Sequence, residues 1–282
     1  MKYNKAMLWV MMCCAMIVGC GREGPSDDEL SDDFKGNEFY TTLGATPRNG
    51  IPGTAKEEGF PVYCWKIKGR DTVTFVVNKS ANEANMAVHI KWFDTLVVVY
   101  DTLYPYDTMY IDTVYKPAPF YNGDVKFYYK VNDHKWRFDG LTPCEIKSDS
   151  AAGYVGIDSV RIEVTYPIEK AFPIITSPTQ YIVAGAGTYP YFFDVGDSIR
   201  VTVYRSGTLP DNMVTVMLHV PLGDTIRDWF KQIAPGVWQG TWVPKNRQGR
   251  WGWVSVYDLG AIFHQNQMAE RTIMWGIPYK VH

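Results

Sequence analysis

The sequence has no excess of basic residues: 28 lysines and arginines stand against 30 aspartates and glutamates, and the formal net charge is −2. Proteins that bind nucleic acids electrostatically need a basic surface that displaces counterions from the phosphates. The charge balance therefore excludes a nucleic-acid binder of that kind.

Residue patterns that carry common catalytic chemistry are also scarce. The five histidines stand singly, without the i, i+4 partner of a zinc-binding helix, and no cysteine–histidine spacing of a zinc site occurs. The sequence contains no Gly-x-Ser-x-Gly nucleophile motif. We predict that the protein is not an enzyme and carries neither a metal ion nor a cofactor. The alternative, a glycoside hydrolase whose two carboxyl groups are brought together by folding, stays open.

Long hydrophobic runs are limited to the N-terminus. Lys2 and Lys5 precede an apolar stretch of 14 residues, 6–19, which is shorter than the roughly 20 residues that span a bilayer. The stretch ends in Ile17-Val18-Gly19-Cys20, which resembles the lipobox of bacterial lipoproteins. The resemblance implies that residues 1–19 are a lipoprotein signal peptide and that Cys20 receives the acyl chains, palmitate among them. The alternative is a short anchor helix with an incidental cysteine.

The segment after Cys20 is rich in acidic residues, glycine, proline and serine. Such a composition buries too little apolar surface to offset the entropy of ordering, so we predict an acidic flexible tether over 20–39. The acidic stretch also resembles the surface-export signal of outer-membrane lipoproteins in some Gram-negative bacteria. We therefore expect the protein at the outer membrane, anchored by lipid and facing either the periplasm or the cell surface.

Cysteine is rare once the signal peptide is set aside. Cys13 and Cys14 leave with the signal and Cys20 carries lipid, so Cys64 and Cys144 remain in an oxidising compartment. We predict a disulfide between these two residues. The alternative is a pair of separate buried thiols.

The rest of the chain alternates apolar and polar residues with a period of two, the pattern of antiparallel strands with one buried face. The alternation is clearest at 71–77, 86–93, 125–131, 159–166, 199–203 and 214–220. The fold class predicted is all-β. Pro167, Pro173 and Pro178 interrupt the pattern near 167–178, which predicts one β-sandwich over 40–168 and a second over 169–282.

The second half resembles bacterial immunoglobulin-like domains. Residues 196–203 (GDSIRVTV) are similar to the second strand of those domains, and 235–242 (PGVWQGTW) with 249–260 (GRWGWVSVYDLG) are similar to their late hairpin. The resemblance implies two tandem immunoglobulin-like antiparallel β-sandwich domains. It concerns the fold and not the chemistry.

Aromatic residues supply the candidate ligand-binding side chains. Within 94–115 the Asp-Thr pair recurs between aliphatic residues and four tyrosines, Tyr100, Tyr104, Tyr106 and Tyr110. This segment is either a long hairpin with tyrosines packed across the strands, an aromatic platform for sugar rings, or a cation site. The C-terminal half adds four tryptophans that either stack on sugars or fill the core: Trp238, Trp242, Trp251 and Trp253.

These observations predict a non-catalytic, lipid-anchored envelope or surface lipoprotein that acts as a binding or assembly module. One hypothesis is carbohydrate binding through exposed aromatic side chains. The other is a protein–protein scaffold or adhesion component of an envelope complex. The partners expected are the membrane, through the N-terminal lipid, and either a glycan or a protein.

Overall fold

The computed structural model describes residues 26–37, 39, 62–103, 109–116, 120–183, 191–220, 226–245, 250–259 and 271–282. Helix α1 (Asp27–Gly36) precedes the strands, and a short 3₁₀ turn covers Asp211–Met213. The strands are β1 Val62–Lys79, β2 Glu83–Leu103, β3 Met109–Lys116, β4 Phe120–Asn132, β5 Lys135–Leu141, β6 Cys144–Ser148, β7 Gly156–Tyr166, β8 Lys170–Ala171, β9 Ile182–Val183, β10 Phe192–Phe193, β11 Ser198–Ser206, β12 Val214–Val220, β13 Ile226–Trp229, β14 Lys231–Ala234, β15 Val237–Trp242, β16 Arg250–Asp258 and β17 Thr272–Val281.

The strands form two sheets. The larger one has twelve strands with the path β1-β2-β4-β6-β17-β16-β12-β13, to which β3, β5, β9 and β10 are added at the sides. The smaller one has the order β14-β15-β11-β7-β8. The pairs are antiparallel apart from the short contact between β10 and β17. The prediction of an all-β fold is confirmed, whereas the number of tandem domains stays a prediction.

The period of two in the sequence matches burial on the central strands. In β4 the side chains of Val125, Phe127 and Tyr129 are buried, while those of Lys126 and Lys130 are exposed. In β2 the side chains of Met86, Val88 and Ile90 are likewise buried, and His89 between them is exposed. On β2 and β4 alternation therefore identified the face that packs inward, whereas the apolar face of 71–77 in β1, formed by Val73, Phe75 and Val77, is exposed.

In the described part of the chain, two clusters of buried side chains form the core, and strands β16 and β17 belong to both. The first cluster contains residues of α1, β2, β4, β5 and β6, together with Phe39, Trp251, Trp253 and Met274. The second runs from Ala151 to Val281 and includes β7, β11, β12 and β15. Because β7 belongs to the second cluster and pairs with β11, the division between clusters does not coincide with the boundary predicted near 167–178.

The flexible tether predicted over 20–39 is wrong for the part that the structure describes. Ser26 caps α1, since its Oγ accepts a hydrogen bond from the N–H of Glu29 at 3.1 Å. Leu30 and Phe34 are spaced i, i+4 and both are buried, so they form an apolar stripe on an otherwise acidic helix. The Phe34 ring meets Phe127 edge to face at 5.4 Å between centroids. The buried side chains of Leu30 and Phe34 therefore hold this acidic helix against the first core cluster.

The predicted disulfide is also wrong, because Cys144 is a free, fully buried thiol. The strand register gives the reason. Glu145, the neighbour of Cys144, lies opposite Asp124, which lies opposite His89 of β2, whereas Cys64 lies opposite Val98 of the same strand. His89 and Val98 are about 30 Å apart along an extended strand. A disulfide needs Cα atoms within about 7 Å.

Among the described residues, no helix is long and apolar enough to cross a bilayer. Cys20, the predicted lipid-attachment residue, and the signal peptide over 1–19 lie outside the described residues. The predicted acylation therefore stays a prediction.

Candidate functional site

The four tryptophans predicted as possible sugar contacts are core residues. Trp238 and Trp242 are buried in the second cluster, where the Trp242 ring packs edge to face on Tyr279 at 5.0 Å. Trp251 and Trp253 are buried in the first cluster, and the Trp251 Nε1 donates to the carbonyl oxygen of Phe39 at 2.9 Å. The exposed-tryptophan hypothesis is therefore wrong, and the alternative that these rings fill the core is correct.

The tyrosine-rich segment 94–115 has its two arms in β2 and β3. These strands pair from Leu96–Lys116 to Leu103–Met109, which places Tyr100 opposite Asp112 and Tyr110 opposite Thr102. Tyr104 and Tyr106 lie outside the described residues. The backbone has the pairing of a hairpin, and a sugar-binding role for the four tyrosines stays a prediction.

A cleft of about 490 Å³ lies at one end of the larger sheet, where Ala84 and Tyr129 of the first core cluster also line it. Its floor is a row of residues in register on three strands: Asn78 of β1, Asn85 of β2 and Tyr128 of β4. The Asn78 Nδ2 donates to the Asn85 Oδ1 at 3.3 Å. Small-molecule sites commonly enclose about 300–1,000 Å³, so the cleft has room for a ligand.

A β-bulge supplies the acidic residue of the cleft. On β5, Phe138 lies opposite Tyr129 and Gly140 lies opposite Tyr128, so Asp139 between them is the extra residue of the bulge. Bulges interrupt the ladder and redirect a side chain, and they are frequent beside functional sites. The Asp139 carboxylate pairs with the Lys130 Nζ at 2.9 Å.

Tyr181 forms the wall of the cleft next to Asp139. Its hydroxyl donates to the Asp139 carboxylate and lies 3.2 Å from the Asp139 carbonyl oxygen. Its ring meets the Tyr128 ring edge to face, with centroids 4.9 Å apart. The ring lies over Gly140, because a Cβ on that residue would stand 2.6 Å from the Tyr181 Cε2. Gly140 thus makes room for the aromatic corner of Tyr128 and Tyr181.

The hydrogen bonds around Asp139 shift the titration of three groups. Burial raises the pKa of Asp139, but hydrogen bonds from Tyr181 and Lys130 outweigh it, and the net pKa is lowered. The pKa of Tyr181 is raised by burial and by its bond to Asp139. The pKa of Lys130 is raised by the same carboxylate. At neutral pH the cleft therefore presents a carboxylate, an ammonium group and a neutral phenol.

The charged side chains that line the cleft cancel. The two positive charges of Lys79 and Lys130 equal in number the two negative charges of Glu83 and Asp139. The side-chain amides of the two asparagines add further hydrogen-bond donors and acceptors. An anionic or cationic ligand gains no net Coulombic attraction from such a set, whereas a neutral ligand with many hydroxyl groups finds both donors and acceptors. Among the described residues, no group of three or more histidine, cysteine, aspartate or glutamate side chains could hold a metal ion.

Sequence reasoning missed this site because its residues are far apart in the chain and follow no motif. Asn78, Tyr128, Asp139 and Tyr181 come together only through the register of β1, β2, β4 and β5. Tyr181 opens the stretch 181–193, whose glycines indicate only a turn.

Comparisons with protein-family models, with curated proteins and with solved structures give no match.

Proposed function

We propose that the protein is a non-catalytic binding module for a neutral carbohydrate, held at the bacterial outer membrane by acyl chains on Cys20. The observation that carries the carbohydrate part is the corner formed by Tyr128 and Tyr181 beside Asp139, Lys130 and two asparagine amides. Sugar rings have apolar faces that pack on aromatic rings and hydroxyl groups that exchange hydrogen bonds with carboxylates and amides.

The titration of Asp139 favours binding over hydrolysis. A glycosidase needs one carboxyl group that stays protonated to donate to the leaving oxygen, and such groups have a raised pKa. The Asp139 pKa is lowered, because Lys130 and Tyr181 stabilise the carboxylate. A carboxylate held ionised in this way is suited to accept hydrogen bonds from sugar hydroxyl groups.

The carbohydrate proposal is tested by a glycan array followed by calorimetric titration of the glycans that bind. Tyr181→Ala should abolish binding, because it removes the wall of the cleft and the hydroxyl that orients Asp139. Tyr154→Ala is the matched control: Tyr154 has the same exposure, 41% against 40%, but lies in contact with Arg271 away from the cleft. Absence of any glycan ligand, or equal loss in both variants, would overturn the proposal and leave the protein-scaffold hypothesis.

The anchor is tested separately by growth with an alkyne-labelled fatty acid. The sequence of 17–20 supports acylation at Cys20, and two or more chains give the stable attachment that a single chain does not. Label should enter the wild-type protein and a Cys14→Ser variant but not a Cys20→Ser variant. Label that persists in Cys20→Ser would contradict the proposed anchor without bearing on the cleft.

A further inference from the structure

Strand β1 is the outermost strand of the larger sheet in the described part of the chain. Between Lys68 and Asp71 its register with β2 shifts, and beyond that irregularity Asp71–Lys79 pairs with β2 without interruption. The turn at Ser80 ends the segment. The edge segment, Asp71–Lys79, is therefore nine residues long, or about 30 Å, and is bounded at both ends.

The edge segment exposes apolar side chains on both faces. Val73, Phe75 and Val77 are 46%, 40% and 42% exposed, although they lie opposite Ile90, Val88 and Met86, which are buried. Val76 on the other face is 62% exposed. Long apolar edge strands pair readily with other strands, and natural proteins usually protect them with charges, prolines or bulges. The edge segment has its charged residues only at its two ends.

The sequence of the edge segment complements itself when two copies run antiparallel. A register centred on Phe75 places Phe75 opposite its own copy and Val73 opposite Val77. The same register places the aspartate at position 71 opposite the lysine at position 79, at both ends. Within one copy the Lys79 Nζ already pairs with the Asp27 carboxylate of α1, so the aspartate of the second copy would be its second partner. If the register shifts by two residues, either Asp71 lies opposite Val77 or Lys79 lies opposite Val73. Opposite charges across a strand pair stabilise it, so one register is favoured.

We propose that the partner of this edge is a second copy of the chain, and that the protein forms a two-fold dimer through antiparallel pairing of Asp71–Lys79. In that dimer the larger sheets of both copies join into one continuous sheet. The apolar face of Val73, Phe75 and Val77 continues across the junction. Phe34 of α1, whose ring lies 5.4 Å from Phe75, packs beside the junction in each copy. Each copy contributes the same residues to the interface, as a closed two-fold dimer requires.

Cysteine cross-linking tests the register with the full chain purified in detergent. Phe75→Cys should form a disulfide-linked dimer under mild oxidation, because each new thiol faces its own copy. Val73→Cys alone should not, since the two thiols would lie about 13 Å apart along the strands. A mixture of differently tagged Val73→Cys and Val77→Cys chains should cross-link as a heterodimer. The proposal would be overturned if Val73→Cys cross-linked by itself. It would also be overturned if neither Phe75→Cys nor the mixture of Val73→Cys and Val77→Cys chains cross-linked.

Light scattering on the detergent-solubilised chain tests the dimer without new cysteines. Val76→Lys should weaken dimerisation by about tenfold or more, because the charge enters the interface twice. Ile233→Lys is the matched control, since Ile233 is an exposed apolar residue on the edge strand β14 of the smaller sheet. It should leave the dimer unchanged. A monomeric wild type, or a dimer lost only in Ile233→Lys, would overturn the proposal.

Discussion

At the scale of single residues, the hydrogen bond from Tyr181 to Asp139 predicts that the proposed ligand binding depends on pH. The pKa of Asp139 is lowered in the folded protein. The stability that this carboxylate contributes to the fold is therefore fully present above its ordinary pKa and is lost as the pH falls through the folded-state pKa. Tyr181→Phe removes one of the stabilising donors. The Asp139 pKa, followed by NMR titration, should then rise, and ligand binding should fail at a higher pH than in the wild type. An unchanged Asp139 pKa would contradict this.

Gly140 gives a second test at this scale. Any side chain here meets the Ile182 carbonyl oxygen and the Tyr181 ring, so Gly140→Ala should displace Tyr181. We expect a loss of glycan affinity and a free energy of unfolding lowered by about 1–3 kcal/mol, measured by urea denaturation. Gly36→Ala is the control, since nothing lies within 4 Å of a Cβ at that helix end. Equal effects of the two substitutions would count against the argument.

Cys144 should behave as an inert buried thiol. Burial raises its pKa well above the ordinary value, so alkylation should be slow in the native protein at pH 8 and rapid in denaturant. Because no disulfide holds Cys144, Cys64→Ser should cost far less than the 2–5 kcal/mol that loss of a native disulfide typically costs. Peptide mass mapping without reduction checks the same point. A Cys64–Cys144 linked peptide would contradict it.

At the scale of elements, α1 should contribute strongly to stability. Phe34 is fully buried against Phe127 and Phe75, so Phe34→Ala should lower the free energy of unfolding by about 3–5 kcal/mol. Lys35→Ala, at the next and exposed position, should have little effect. Denaturant unfolding of both variants measures the difference. Equal stability of Phe34→Ala and wild type would show that the segment is a tether after all.

A helix or strand could be predicted from the sequence where the residues of that element alone carry its pattern of apolar and polar side chains. Alternation revealed β2, β4 and β7, because each of these strands has one buried and one exposed face. Helix α1 escaped prediction because its apolar stripe consists of few residues within an acidic segment. The cleft escaped because Asp139 enters it through a bulge, and the register shift that creates the bulge has no sequence signature in the alternation of β5.

At the scale of the whole molecule, the pairing of distant strands decides the architecture. Strand β17 lies between β6 and β16, so the larger sheet runs through both halves of the chain. A proline-rich segment at 167–178 indicated a boundary in the sequence, yet the strand before it, β7, pairs with β11 after it. Which strands pair across more than a hundred residues depends on the complementarity of whole faces, which a single sequence does not reveal.

The sharing of β16 and β17 predicts how the molecule unfolds. Met274 contributes to the first core cluster, whereas Ile273 and Trp275 beside it contribute to the second. Loss of β17 therefore opens both clusters, and we expect a single cooperative transition in calorimetry, with equal calorimetric and van't Hoff enthalpies.

Substitutions in either cluster should then move the same transition. Phe34→Ala in the first cluster and Val203→Ala in the second each remove a fully buried side chain, and each should lower the one melting temperature. Two separate transitions, with each variant shifting only one, would instead show two independently folding domains. Because the clusters meet on neighbouring residues of one strand, the energetic coupling between them should be larger than the coupling between modules joined only by a linker.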